Sequence, residues 1–160
     1  MRATSLPHYA AIVRLPFGPM GVVCSDEVIT ELVFLPPDMA EVAPRGPLAE
    51  CAARALTRWI DDPQAPHELP LATRGTAFQR RVWQAISAIE HGHTRCYGEL
   101  AQALGSAARA VGGACRANPF PLLTPCHRVV ARHGLGGFAG DTDGHRIHVK
   151  QWLLAHEQDH

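Results

Sequence analysis

Residues 97–118 read YGELAQALGSAARAVGGACRAN, and this stretch decides the fold expected for the second half of the chain. Residues 97–104 predict a short helix that ends at Gly105, because glycine tolerates the left-handed backbone at a helix C-terminus. Ser106 is placed to cap a further helix that continues to Asn118. Two helices joined by a tight glycine turn form the outline of a helix–turn–helix.

The second of these helices has an unusual composition. Gly112 and Gly113 are adjacent, and each glycine inside a helix costs about 1 kcal/mol relative to alanine, so we expect something to approach this backbone closely. Most other positions are alanines, such as Ala108, which are too short to reach base edges in a major groove. Single long cations at Arg109 and Arg116 favour contact with a phosphate backbone or a narrow groove. The alternative is a small-residue helix packed on the protein's own core.

A further helix signal and a charge surplus surround this motif. Thr76 to Gln79 fits a capping box, and apolar residues then follow on one face until Gly92 stops the helix. Residues 76–132 contain seven arginines and two glutamates, although the formal net charge of the whole chain is +0. A local surplus of this kind is typical of proteins that bind a polyanion. A solvated charged surface is the alternative interpretation.

Downstream, the segment Pro125-Cys126-His127-Arg128 is the one best suited to chemistry. A cysteine beside a histidine and an arginine lies in positive potential, which favours the thiolate, so Cys126 is the candidate nucleophile. The remaining cysteines are interpreted as small buried hydrophobes: Cys24, Cys51, Cys96 and Cys115.

The same segment is expected to be extended, which limits how His127 can act. Adjacent residues of an extended chain point to opposite faces, so His127 would reach the sulfur of Cys126 through a water. A final helix over residues 147–156 carries Glu157 at its end. Glu157 is therefore the candidate that orients His127, in a chain of groups of the kind that activates nucleophiles.

The first half of the chain carries a different pattern. Three runs rich in Val, Ile, Leu and aromatic residues predict a small antiparallel sheet: residues 8–15, 20–24 and 28–35. Pro47 opens a helix that ends at Asp61. A proline-rich run over residues 61–75 predicts a linker, which divides the chain into residues 1–72 and 73–160.

Composition limits the class of protein. A chain of 160 residues that is 46% hydrophobic and 19% charged fits a globular protein of one ordinary domain or two small ones. No apolar run reaches the roughly 18 to 20 residues of a membrane span, and residues 1–7 lack the apolar core of a signal peptide. We therefore expect a cytoplasmic protein without a membrane partner. Five cysteines without CxxC spacing speak against a disulfide scaffold or a zinc site, so no metal is expected.

Residues 125–130, PCHRVV, resemble the active-site motif of the O6-alkylguanine-DNA alkyltransferases. Other blocks resemble this family in order and spacing: residues 75–83, 97–101, 108–114, 118–119 and 152–157. The resemblance covers residues 69–157, and the first half is similar only in outline. It implies an α+β fold in which a small ribonuclease-H-like N-terminal subdomain precedes a helical, winged-helix-like helix–turn–helix domain that binds DNA and accepts the alkyl group.

The resemblance also implies DNA repair by direct reversal. A methylated-DNA–protein-cysteine methyltransferase of this kind would transfer the alkyl group from O6-alkylguanine in double-stranded DNA to Cys126, irreversibly and once per molecule. O4-alkylthymine is an open second substrate. A soft thiolate suits displacement at an sp3 carbon, so no cofactor is expected. The target nucleotide must rotate out of the duplex, at a cost of a few kcal/mol. A monomer is expected.

The family's site residues transfer to matching positions of this sequence. Cys126 would accept the alkyl group, His127 and Glu157 would activate it through water, and Asn118 would brace the turn that presents it. Tyr97 would contact the flipped guanine and assist its departure.

The DNA-binding and pocket residues follow from the same resemblance. Arg109 would enter the base stack as a finger. The other DNA contacts expected are Tyr97, Ala108, Gly112, Gly113, Arg116 and Arg128. The substrate pocket would consist of Val129, Phe138, Ala139 and Gly140, with the carbonyls of Cys126 and Val129 accepting from the guanine amino group and an amide near Ala139 facing O6.

Two other functions compete with this interpretation. A thiol hydrolase could use Cys126 and His127, but such enzymes normally bring their histidine from a distant part of the chain. A non-catalytic protein that binds alkylated DNA would share the helix–turn–helix, but the related alkyltransferase-like proteins lack the acceptor cysteine.

Overall fold

The computed structural model describes residues 8–136 and 144–159. These residues form five strands, five α-helices and one 3₁₀ turn. In chain order they are β1 (Ala11–Leu15), β2 (Gly18–Cys24), β3 (Ile29–Phe34), α1 (Pro47–Asp61), α2 (Ala77–Ser87), β4 (Arg95–Cys96), α3 (Tyr97–Leu104), α4 (Ala108–Arg116), the 3₁₀ turn Cys126–Arg128, β5 (Val129–Val130) and α5 (His145–Asp159). The chain is a mixed α and β protein with a small sheet.

The sheet of the first half is an antiparallel meander in the order β1, β2, β3. Met20 pairs with Val13 on one side and with Phe34 on the other, and its side chain is completely buried. Helix α1 covers this sheet with Leu56, which is also completely buried, and Pro47 occupies its first turn as predicted. The three strands lie where the runs rich in Val, Ile, Leu and aromatic residues predicted them, with bounds that differ by up to three residues.

The segment predicted as a linker is bonded to the sheet. The backbone N–H of Ile29 donates to the carbonyl of Pro70, and Ala72 donates back to the carbonyl of Ile29, both at 2.8 Å. Arg74 Nη1 donates to the carbonyl of Thr30 at 2.8 Å. The connection between the two halves is therefore also an extension of the β3 edge.

Helix α2 begins with the predicted capping box. Thr76 Oγ1 accepts from the backbone of Gln79, and Gln79 Oε1 accepts from the backbone of Thr76. The helix ends at Ser87, with Ala88 as its C-cap, and not at Gly92. The predicted helix was too long because Ile89, which is buried, lies in a turn after the helix. Its apolar side chain fits the helical spacing although its backbone is not part of the helix.

Helices α3 and α4 form the predicted helix–turn–helix outline. Gly105 ends α3 with a φ of 65°, as expected for a left-handed C-cap. Ser106 does not cap α4: its N–H donates to Ala101 at the end of α3, and Ala107 is the N-cap without a side-chain bond. Trp83 Nε1 of α2 donates to the carbonyl of Ala114 at 2.8 Å, which ties α2 to α4.

One apolar cluster joins the two halves of the molecule. It includes Leu56 of α1, Ile86 of α2, Leu100 of α3 and Leu153 of α5. The N–H of Leu32 donates to the carbonyl of Pro119 at 2.8 Å, so the sheet also supports the loop that precedes the 3₁₀ turn. In the part of the chain described here, no helix combines the length and apolarity needed to cross a membrane.

Candidate active site

A single amide side chain organises the loop that presents the Cys126 thiol. Asn118 Nδ2 donates to the carbonyl of Thr124 at 2.9 Å and to Sγ of Cys126 at 3.1 Å. Asn118 Oδ1 accepts from the N–H of Phe120 at 2.9 Å. Cys126 is 4% exposed. The sulfur is thus buried and held in a defined position.

The chain turns at Cys126, which corrects the expectation of an extended segment. The N–H of Arg128 donates to the carbonyl of Pro125 at 2.9 Å and closes a 3₁₀ turn. In a tight turn, neighbouring side chains need not alternate between two faces. His127 and Arg128 both point into the core, with exposures of 1% and 6%.

His127 and Glu157 meet in the core although they are far apart in the sequence. Glu157 lies 29 positions after Arg128, the residue that follows His127. Nε2 of His127 lies 3.0 Å from Oε2 of Glu157. Burial lowers the pKa of His127 below its usual range, against the opposing effect of Glu157. Burial alone would raise the pKa of Glu157, but hydrogen bonds from His127 and Arg128 lower it to about 2. At neutral pH a neutral imidazole therefore faces a carboxylate.

Arg128 is a buried partner of Glu157, so the expected contact of Arg128 with DNA is wrong. Its Nε donates to both carboxylate oxygens, at 3.0 and 3.1 Å, and its Nη2 donates to Oε2 at 2.5 Å. Nη1 donates to the carbonyl of Ile89 at 2.8 Å. The sequence reveals a cation here but not its burial, because the carboxylate that neutralises it comes from α5.

Two residues near the acceptor sulfur were missed in the sequence. The thiol of Cys115 in α4, interpreted as a small hydrophobe, interacts with the thiol of Cys126. This interaction lowers the pKa of Cys115 and, together with burial, raises the pKa of Cys126. Lys150 of α5 is completely buried and acts electrostatically on both sulfurs. Only the placement of α4 and α5 beside the 3₁₀ turn reveals these roles.

Tyr97 and Val129 also lie in this environment. Burial raises the pKa of Tyr97 to about 12, and the nearby Cys115 and Cys126 contribute to the shift. Lys150 Nζ lies 5.8 Å from the centre of the Tyr97 ring and donates to the carbonyl of Val129 at 2.7 Å. Burial lowers the pKa of Lys150 to about 8. The Val129 carbonyl expected to face guanine thus already accepts one hydrogen bond, which leaves its second lone pair.

The outer face of α4 is smooth and basic. Ala108, Arg109 and Arg116 are exposed. A Cβ atom added at Gly112 or Gly113 would meet no atom of the described protein within 4 Å. This observation disfavours the alternative in which these glycines serve close packing against the protein's own core.

His91 is a further titratable group beside this cluster that the sequence did not reveal. Its Nδ1 lies 3.8 Å from Oε2 of Glu157, and neither ring nitrogen has a hydrogen-bond partner among the described residues. His91 and Arg128 both line a cleft of about 430 Å³. The Arg128–Glu157 ion pair therefore lies beside a cleft that residues of α1 and α2 also line.

Three expected pocket residues, Phe138, Ala139 and Gly140, lie outside the residues that the structure describes. Within residues 8–136 and 144–159, no group of three or more His, Cys, Asp or Glu side chains is arranged to hold a metal ion.

Comparison with known families gives a consistent match. A family described as "6-O-methylguanine DNA methyltransferase, DNA binding domain" matches residues 77–159. A methylated-DNA--protein-cysteine methyltransferase of Salmonella typhimurium is 52% identical over 92 residues, which are 56% of this chain and 51% of that protein. The chain thus spans about half the length of this relative.

Solved structures match most of the chain. The O6-methylguanine methyltransferase of Mycobacterium tuberculosis is 32% identical with a TM-score of 0.74, over 92% of this chain and 91% of that one. The crystal structure of Mycobacterium tuberculosis OGT in complex with DNA is also 32% identical, with a TM-score of 0.72 over 92% of this chain and 91% of that chain. The likeness therefore includes the sheet and α1 as well as the helix–turn–helix.

Proposed function

Since the chain belongs to the 6-O-methylguanine DNA methyltransferase family, we propose that it repairs alkylated DNA by direct reversal. Sγ of Cys126 attacks the alkyl carbon on O6 of guanine, so the S–C bond forms while the C–O bond breaks and the electron pair leaves with guanine. Because a thioether is not hydrolysed, each molecule acts once. The observation that carries this proposal is the buried Cys126 thiol, held by Asn118 next to the His127–Glu157 pair.

The proton relay explains how a buried thiol becomes a nucleophile. The raised pKa of Cys126 means that its thiolate is not preformed, so a base must take the proton as the reaction proceeds. His127 is available as that base, since its lowered pKa keeps it neutral at physiological pH. The Glu157 carboxylate orients the ring and stabilises the imidazolium that forms. A water completes the path from Cys126 to His127.

Tyr97 supplies a proton donor on the guanine side. With a pKa of about 12 its hydroxyl stays protonated, so it can donate a hydrogen bond to the guanine as negative charge develops on the base. Val129 contributes its remaining carbonyl lone pair to the guanine amino group, and residues 138–140 complete the pocket.

The outer face of α4 is the proposed DNA contact. Ala108, Gly112 and Gly113 let a DNA backbone come close, because nothing in the described protein occupies the space above the glycines. Arg116 is exposed and suits a phosphate contact. Arg109, exposed in the first turn of α4, fills the gap that the flipped nucleotide leaves. Binding through phosphates suits a repair protein that must act in any sequence.

The finer fold and domain assignments are part of the same proposal. The meander with α1 supports a ribonuclease-H-like subdomain within residues 1–72, and α2 to α4 with the parallel pair β4–β5 support a winged-helix-like domain over residues 73–160. The proposed oligomeric state is a monomer, as expected from the resemblance. A reduced acceptor thiol suits the cytoplasm, where thiols are kept reduced.

The test is transfer from a DNA duplex that contains O6-methylguanine. Mass spectrometry of the unmodified protein should find one methyl group per molecule, on the peptide that contains Cys126. Cys126→Ser should accept none while it still binds the duplex, and Cys51→Ala, at an exposed cysteine, should react as the natural chain does.

Three results would contradict the proposal. Methylation of a different cysteine would reject Cys126 as the acceptor. Repeated turnover would reject the single-use mechanism. Binding of the lesion without any gain of mass would favour the non-catalytic DNA-binding protein.

A further inference from the structure

A second histidine lies beside the carboxylate that the proposed proton relay uses. Nδ1 of His91 is 3.8 Å from Oε2 of Glu157, and Nε2 of His127 is 3.0 Å from the same oxygen. The relay described above needs only His127. The role of His91 is therefore still to be assigned.

The backbone holds His91 beside the end of α5. His91 lies in the turn between α2 and β4, which the N–H of His93 closes by donating to the carbonyl of Glu90 at 3.0 Å. Gly92 of this turn has a φ of 81°, a conformation that glycine adopts most readily. Gln158 Nε2 of α5 donates to the carbonyl of Gly92 at 3.0 Å. The position of His91 is thus defined by bonds within the turn and to α5.

The contact with Glu157 favours a charged ring at position 91. Both ring nitrogens of His91 are buried, and neither has a hydrogen-bond partner among the described residues, which is costly for polar atoms. At 3.8 Å, Nδ1 is too far from Oε2 for a hydrogen bond but close enough for an ion pair. An imidazolium would therefore gain from Glu157 what the neutral ring does not.

The two imidazoles differ in their access to water. His91 lines the cleft of about 430 Å³, and 12% of its side chain is exposed, against 1% for His127. Burial disfavours the charged form of an imidazole, and it lowers the pKa of His127. In acid, we therefore expect the first proton on His91.

The charge of this cluster leaves room for one imidazolium. The Arg128 guanidinium balances the Glu157 carboxylate, with Nη2 at 2.5 Å from Oε2. Two charged imidazoles beside this one oxygen would repel each other away from water. His127 becomes an imidazolium when it takes the thiol proton, so a charge on His91 opposes that step. The other charged or titratable side chains around the cluster are Glu90 of the same turn, His67 of the cleft, and Lys150, which acts on His127.

We propose that His91 is a positioning residue of the transfer reaction and acts on His127 through their shared carboxylate, Glu157. A neutral His91 permits His127 to take the proton of Cys126, and a protonated His91 opposes it. The effect on transfer rests on the proposed function; the competition of the two imidazoles for one proton does not.

Fixed charges at position 91 test this proposal. The measurement is the single-turnover rate of transfer from a saturating duplex that contains O6-methylguanine, between about pH 5.5 and about pH 8, the range in which histidines change charge. His91→Gln is neutral throughout, so the fraction of its rate at the upper pH that remains at the lower pH should be about tenfold larger than in the natural chain. His91→Lys is charged throughout and should be about tenfold slower than the natural chain at the upper pH. His93→Gln, at an exposed histidine of the same turn, should follow the natural chain.

Titration of the histidine rings by NMR, without DNA, measures the competition itself. His127 should take up its proton at a higher pH in His91→Gln than in the natural chain, because the repulsion is gone, and at a lower pH in His91→Lys. The His127 signals are assigned with His127→Gln. If His91→Lys does not fold, His91→Gln still supplies both the rate and the titration.

Two results would overturn the proposal: a ratio of the His91→Gln rate to the natural rate that is the same at both pH values, or a folded His91→Lys as fast as the natural chain at the upper pH. A purely structural role of His91 would lower the unfolding free energy and leave that ratio constant. Coupled titration of the two rings in a protein that shows no transfer at any pH would reject the proposed function and leave the competition standing.

Discussion

The cores of the two halves of the chain differ in the kinds of side chain that they bury. In the described part of the first half, the buried side chains are apolar, among them Met20 and Leu56. In the second half, four polar or charged residues are also buried: His127, Arg128, Lys150 and Glu157. Burying charges is costly even when they are paired, and apolar residues of similar volume often give a more stable core. The charges of the second half are thus poorly explained by stability and well explained by chemistry at Cys126.

The two cores nevertheless touch at one point. The Trp59 ring of α1 lies edge-on to the His127 ring, with 5.8 Å between centroids and 86° between planes. Trp59 is also stacked against His156 of α5. The first half therefore contributes the Trp59 ring, which packs against His127 at the site, in addition to its share of the apolar core.

Replacing Glu157 should have the largest effect, because it removes the charge that balances Arg128. Glu157→Gln should lower the free energy of unfolding by about 3 kcal/mol at pH 7, as for other broken buried pairs. Transfer should also slow, because His127 loses the carboxylate that orients its ring and stabilises the imidazolium formed when it takes the proton of Cys126. Urea unfolding and single-turnover rates measure the two effects, with Glu41→Gln, at an exposed carboxylate, as the control.

The same variant should change the response to acid. The pKa of Glu157 is about 2 in the folded protein, against a usual value of 4.5, so its contribution is present above pH 4.5 and is lost as the pH falls towards 2. The difference in unfolding free energy between the natural chain and Glu157→Gln should therefore shrink below pH 4.5. A constant difference down to pH 3 would contradict the assigned ion pair.

Replacing Leu56 should test the apolar core by itself. Leu56→Ala deletes a completely buried side chain and should cost about 2 to 3 kcal/mol of unfolding free energy. At a temperature where the variant is folded, the pH profile of transfer should not move. Thr57→Ala, on the exposed side of α1, is the matched control. A shifted pH profile in Leu56→Ala would show that the two cores are not separable in this way.

Replacing Trp59 should produce a smaller effect that reaches both cores. Trp59→Leu removes the ring contacts, which are worth about 0.5 to 1.5 kcal/mol beyond the buried area. It should also slow transfer modestly and shift its pH profile, because His127 loses the aromatic ring that packs against it. Trp59→Phe should restore the profile better than it restores the stability. If neither variant moves the pH profile, the first half supports the fold only.

Replacing Arg109 should have the smallest effect on stability and a selective effect on repair. Arg109→Ala changes an exposed side chain, so the unfolding free energy should change by less than about 0.5 kcal/mol. Transfer from duplex DNA should slow more than transfer from free O6-alkylguanine, and a mismatched lesion, which is cheaper to unstack, should partly rescue the rate.

A phosphate contact at Arg109 predicts a different result. Binding of all duplexes would weaken alike, and the salt slope would fall by about one, with the saturating rate unchanged. Arg116→Ala is the matched variant for this behaviour, since Arg116 is exposed on the same helix.

Local signals predicted the elements that depend on neighbours in the chain. The capping box at Thr76, the glycine end of α3 at Gly105 and the start of α1 at Pro47 all depend on residues within one helical turn. Ser106 failed as a cap because its backbone completes the end of α3 instead. The predicted end of α2 was too far along the chain, because a buried apolar residue in a turn gives the same sequence pattern as one in a helix.

Sequence alone thus determined the five helices, the three strands of the first half, the helix–turn–helix outline and the importance of Cys126, because periodicity, capping and a local cluster of residue types are properties of short segments. Tertiary structure decided that Arg128 is buried against Glu157 instead of free for DNA, and that the charge of Lys150 acts on the sulfurs of Cys115 and Cys126. The physical reason is that burial and ion pairing depend on the side chains that other elements bring close, and α4, α5 and the 3₁₀ turn meet only after the chain has folded.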